Sequence, residues 1–172
     1  MKKYTIVLLF CLLATGTKAT DYSNAIYGFV SFNQFGVGYG KSLSDIPLTA
    51  GIQVGLSNQD IDNGFNDLFG ELSMQYSFIQ LKRSQFYGKI TGGFYFPGNE
   101  YYSLSIFTFG IQGGYSLSLG SAQKSYIFLE GGWLYGNKDY RLEYENEMIR
   151  AATVQNLQLK PLRLEMGYGF RF

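Results

Sequence analysis

The chain has 172 residues, with 14 Lys and Arg against 13 Asp and Glu, no histidine and one cysteine. That length is one domain's worth, and the charge balance lacks the basic excess of a nucleic-acid-binding domain. Without histidine, the usual base for a serine or cysteine nucleophile and the commonest transition-metal ligand are both missing. The reading is therefore of a non-enzyme with no cofactor and no metal.

The first residues have the layout of a secretory signal peptide: Lys2 and Lys3, an apolar run from Ile6 to Ala14, and small or polar residues ending at Thr17-Lys18-Ala19. The apolar run is far short of the ~20 residues of a spanning helix. Cleavage after Ala19 is expected, giving a signal over 1–19 and a mature domain over 20–172. Cys11 follows the bulky Phe10 inside the apolar run, which argues against a lipid-attached cysteine. Removing Lys2, Lys3 and Lys18 leaves 11 of the 14 basic residues against 13 acidic ones.

From there the chain alternates. Eight strands are expected, at about 25–33, 35–43, 48–57, 67–79, 86–96, 103–118, 126–136 and 158–172. In the first pair, "AIYGFVSFNQFGVGYGKSL", apolar parity runs through Ile26, Val30 and Phe32, then switches to Phe35, Val37 and Tyr39. Such a switch marks a bulge or a tight hairpin near Asn33-Gln34. An even strand count, which brings both ends of a barrel to one side, selects the hairpin. "GVGYG" in this stretch lacks the following helix and Lys-Ser/Thr of a phosphate loop.

The third strand sets Leu48, Ala50, Ile52, Val54 and Leu56 against Thr49, Gly51, Gln53, Gly55 and Ser57. In the fourth, Leu68, Leu72, Met74, Tyr76 and Phe78 oppose Glu71, Ser73, Gln75 and Ser77, and in the fifth Phe86, Ile90, Phe94 and Phe96 oppose Tyr87, Lys89, Thr91 and Tyr95. Gly51, Gly55, Gly93, Gly110, Gly114, Gly132, Gly167 and Gly169 share the polar parity, as a narrow bore requires. Segments 44–47, 81–85 and 119–125 are then periplasmic turns, and 59–66, 97–102 and the charged 137–157 are extracellular loops. "DIDNGFND", Asp60 to Asp67, lacks the closing Glu of a calcium loop and is taken as solvated turn residues.

The chain ends "LRLEMGYGFRF", with Leu162, Leu164, Met166, Tyr168, Phe170 and Phe172 on one face and Arg163, Glu165 and Arg171 among the residues of the other. Either the greasy face is buried in a soluble sheet, or it meets lipid and the charges are enclosed. Aromatic residues near strand ends, such as Trp133, Tyr135, Tyr168 and Phe170, fit the two interfacial girdles of the second arrangement.

With its leader, its alternation and above all the ending Tyr168-Gly169-Phe170-Arg171-Phe172, the chain resembles small bacterial outer-membrane barrels of the OmpA/OmpX type. The resemblance implies an all-β, eight-stranded antiparallel up-and-down transmembrane barrel in the outer membrane of a Gram-negative bacterium. It also implies that Tyr168, Phe170 and Phe172 form the signal read by the barrel-assembly machinery, and that outer-membrane lipid and lipopolysaccharide surround the wall.

Glu71, Lys89, Glu130, Arg163, Glu165 and Arg171 all take inward parity. Enclosed charge is costly unless paired or wet, so an ion-pair network plugging the lumen is expected, with Lys89, Glu130 and Arg171 in the periplasmic half and Glu71, Arg163 and Glu165 nearer the outside. The function expected is surface interaction, in adhesion or envelope integrity, toward an extracellular ligand the sequence does not name. The alternatives are a narrow pore for small solutes and a soluble lipocalin-like binder.

Overall fold

The structure is a computed structural model that describes residues 23–43, 46–58, 65–98, 105–146 and 149–172. The expected leader, the Asp60–Gly64 part of the acidic stretch, and with it most of the expected loops 59–66 and 97–102, lie outside these residues. Among the described residues there are ten strands: β1 (Asn24–Ser31), β2 (Gln34–Leu43), β3 (Leu48–Ser57), β4 (Asp67–Gln80), β5 (Ser84–Phe96), β6 (Ile106–Leu119), β7 (Ser125–Tyr135), β8 (Asn137–Asn146), β9 (Ile149–Gln158) and β10 (Leu162–Arg171).

Eight of them close into one antiparallel barrel in the circular order β1-β10-β7-β6-β5-β4-β3-β2. Sequence neighbours pair throughout, apart from β7 with β10 and the closing pair, β1 with β10, in register from Ala25↔Arg171 to Ser31↔Glu165. The hairpin near Asn33 is real, with Val30 opposite Phe35. "GVGYG" lies inside β2 as ladder, with no loop to hold a phosphate.

Segment 137–157, expected as a loop, is instead mostly a second hairpin. β8 pairs with β9 from Asn137↔Gln158 to Asn146↔Ile149. It grows out of the barrel wall: Leu134 N–H donates to Pro161 O and Leu159 N–H to Gly136 O, carrying the β7/β10 hydrogen bonds past the mouth. Its sequence, with Tyr140, Leu142 and Tyr144 between Arg141 and Glu143, alternates like the wall below. Loop composition masked that period, because the charges are dense.

The outer surface is apolar. Ile26, Val37, Leu72, Ile111, Leu162 and Met166 are exposed, and Trp133 and Tyr168 flank them. A soluble lipocalin-like barrel would bury this face, so that alternative falls: water contact over such an area is unfavourable at ~25 cal/mol per Å². Not every aromatic ring faces out, however. Tyr27, Phe29, Phe69, Tyr87, Tyr95, Tyr126 and Phe128 turn inward, where the small residues opposite make room. Gly114 lies under the Tyr87 ring and Gly169 under Tyr126, so closely that a Cβ at either position would overlap the ring.

Candidate functional site in the barrel lumen

The bore is filled in three layers. At the loop end Phe29, Phe69, Tyr95, Ile106, Leu134 and Leu159 form an apolar cluster. The Asp67 carboxylate sits beside it, accepting from the Tyr95 hydroxyl and, at 2.8 Å, from Gly98 N–H. Asp67 is thus held as a structural acceptor at the end of β4.

Charged groups occupy the middle. Arg163 Nη1 lies 2.9 and 2.7 Å from the two oxygens of Glu71, and Arg163 Nε lies 2.8 Å from Glu165. β10 and β4 are four places apart whichever way the eight-strand circuit is followed, so the Arg163–Glu71 contact crosses the full diameter. Gln34 donates to Glu165 at 2.5 Å. Nearer the turn end Lys89 Nζ meets Glu130 at 2.6 Å and the Tyr87 hydroxyl donates to the same carboxylate at 2.8 Å.

Gln53 joins the two groups. Its amide nitrogen donates to Glu71 at 2.8 Å, while its oxygen accepts from Lys89 at 3.4 Å and from Tyr27 at 3.3 Å. It is only 1% exposed. The alternation had put Gln53 on the inner face, but nothing in a single strand reveals which inner polar residue reaches two ion pairs. Gln34 and Tyr87 were missed as partners for the same reason.

Five of the six charges singled out in the sequence therefore meet in the middle layer: Glu71, Lys89, Glu130, Arg163 and Glu165. Arg171 does not. Its guanidinium lies 4.3 Å from the centre of the Tyr126 ring, and Nη1 donates to Ser118 at 2.8 Å and to the Gln123 carbonyl at 3.4 Å. The physical reason is depth: Arg171 pairs with Ala25 at the last rung of β10, while Glu130 is level with Glu165, three inward positions deeper.

The third layer, at the turn end, is an open cavity of about 100 Å³ lined by Tyr87, Tyr126, Ser77, Gln85, Ser116 and Arg171, with Lys89 and Glu130 also on its wall. Tyr168, Phe170 and Phe172, expected as an assembly signal, face outward at this same end.

Among the described residues no three His, Cys, Asp or Glu side chains gather as a metal site. No helix among those residues is long and apolar enough to cross a membrane.

No protein-family model matches the chain. No curated protein matches it either. Among solved structures it is similar to the solid-state NMR structure of outer membrane protein AlkL in DMPC lipid bilayers, with a TM-score of 0.58 and 12% identity, over 91% of this chain and 94% of that one. At that identity the likeness is one of fold. Together with the apolar outer wall, it argues for the outer membrane as the surroundings of this eight-stranded up-and-down barrel.

Proposed function

We propose that the chain is a non-enzymatic outer-membrane barrel that displays its loop end, including the β8–β9 hairpin, for surface interaction in adhesion or envelope integrity. Its bore is closed by ion pairs, its turn end faces the periplasm, and its partners are lipopolysaccharide and phospholipid around the wall and the barrel-assembly machinery at Tyr168, Phe170 and Phe172. The observation carrying this reading is the diametric Arg163–Glu71 contact, tied through Gln53 to Lys89 and Glu130. A bore crossed by paired side chains under an apolar cluster has no continuous wet path for an ion.

Single-channel recording in planar bilayers tests it. The closed lumen gives no steady open state, whereas a stable ion-selective conductance would favour the narrow pore. Antibody binding to an epitope inserted after Asn146, on intact cells, tests the display.

A further inference from the structure

Of the six inward charges singled out in the sequence, Arg171 is the one that the central network does not use. Among the described residues it meets hydroxyl, carbonyl and ring partners but no carboxylate, and only Nη1 is engaged in hydrogen bonds. Nε and Nη2 are left for a ligand, the pair of donors with which a guanidinium grips a carboxylate or phosphate.

A second, independent observation lies one inward step deeper on β6. The Ser116 hydroxyl, on a residue 2% exposed, has no hydrogen-bond partner although its side chain lines the same cavity. Buried hydroxyls are ordinarily satisfied, so this one points to a polar guest. Ser118, which Arg171 contacts, is the preceding inward position toward the mouth.

Charge decides the sign of that guest. Inside the cavity Lys89 is balanced by Glu130. Around the rim stand exposed Lys41, Lys82, Arg83 and Lys124; Asp45 is the acidic residue that the sequence places in these turns, and it lies outside the described residues. The mouth is net positive, and a concave, low-dielectric cup focuses that potential.

We propose that the turn-end cavity is an oxyanion site: a phosphate group enters from the turn side, is gripped by Arg171 through Nε and Nη2, and accepts a hydrogen bond from Ser116. The group is either free in solution or carried by an anionic phospholipid of the surrounding leaflet. This site is separate from the displayed hairpin and stands whether or not the loop end binds anything.

The test is NMR of the full mature chain in phosphatidylcholine nanodiscs at low ionic strength, following the Arg171 side-chain Nε–H and the Ser116 amide. A saturable shift of both with inorganic phosphate identifies a free oxyanion. Shifts that arise only when phosphatidylglycerol is added to the nanodiscs identify the lipid headgroup. Arg171→Lys keeps the charge but loses the fork, and should weaken either response about tenfold, as for one lost charge-assisted hydrogen bond. If Arg171 variants do not fold, Ser116→Val serves instead and should weaken it also. No response to either probe, binding unchanged in these variants, or shifts spread evenly over Lys82, Arg83 and Lys124 would overturn the proposal.

Discussion

Glu130 and Glu165 are register partners on β7 and β10, so two carboxylates stand directly opposite one another on the inner wall. Like charges so placed repel. They coexist because each turns to its own cation: Glu165 to Arg163 at 2.8 Å, Glu130 to Lys89 at 2.6 Å.

Lys89→Met should therefore destabilise the barrel by ~3–5 kcal/mol, since Glu130 is left unpaired beside a second negative charge. Adding Glu130→Gln should recover most of that loss. Urea unfolding in lipid vesicles, run as a double-mutant cycle, measures the coupling. Equal losses in the single and double variants would contradict the pairing.

Gln53→Leu separates the two charged groups without altering any charge. Glu71 loses a donor and Lys89 an acceptor. The loss should be about 1–3 kcal/mol, as for a buried group left unsatisfied, and smaller than that of Arg163→Ala, which orphans Glu71 and Glu165 together. Unfolding midpoints of the two variants give the order.

Gly114→Val should displace the Tyr87 ring and break its hydrogen bond to Glu130. Overpacking of this kind costs about 1–3 kcal/mol. Tyr87→Ala in the same chain should relieve the strain, so the double variant should be more stable than the glycine variant alone.

Closure of the sheet should appear in gels. The unboiled protein should migrate differently from the boiled one in SDS, because a closed hydrogen-bonded sheet resists detergent. Removing Phe172 should reduce assembly in cells, and normal assembly without it would remove the proposed signal.

Trypsin added to intact cells should cut within 137–157, at Lys138, Arg141 or Arg150. The β8–β9 ladder should slow this relative to an extended loop, with cleavage first near the Arg150 end, close to the tip. Cleavage only after the outer membrane is broken would invert the proposed orientation.

The wall was legible in the sequence because lipid and lumen impose opposite demands on alternate residues, as in "LTAGIQVGLS". Parity also identified which charges face inward. It could not pair them: Arg163 finds Glu71 across the bore, 92 positions away in sequence, and that meeting depends on shear and strand order. Counting from strand ends put Glu130 in one half with Arg171 and Glu165 in the other, but strand stagger sets Glu130 level with Glu165 and leaves Arg171 three inward positions nearer the mouth. Parity put Tyr87 and Tyr95 on the inner face, but did not show what makes room for such rings: Gly114 under Tyr87 and Gly169 under Tyr126 lie on neighbouring strands.

The pairing of β1 with β10 bears on the order of folding. Six of the eight seams join a strand to the next in sequence with a short turn or moderate loop, and these can form as local hairpins; the β1/β10 seam joins opposite ends of the chain and closes the longest loop in the molecule. Until it forms, β1 and β10 each present an open edge within reach of a neighbouring molecule. The circuit is thus completed only after β10 has been made, so a chain truncated before Leu162 should remain an open sheet prone to edge pairing, however sound its other rungs.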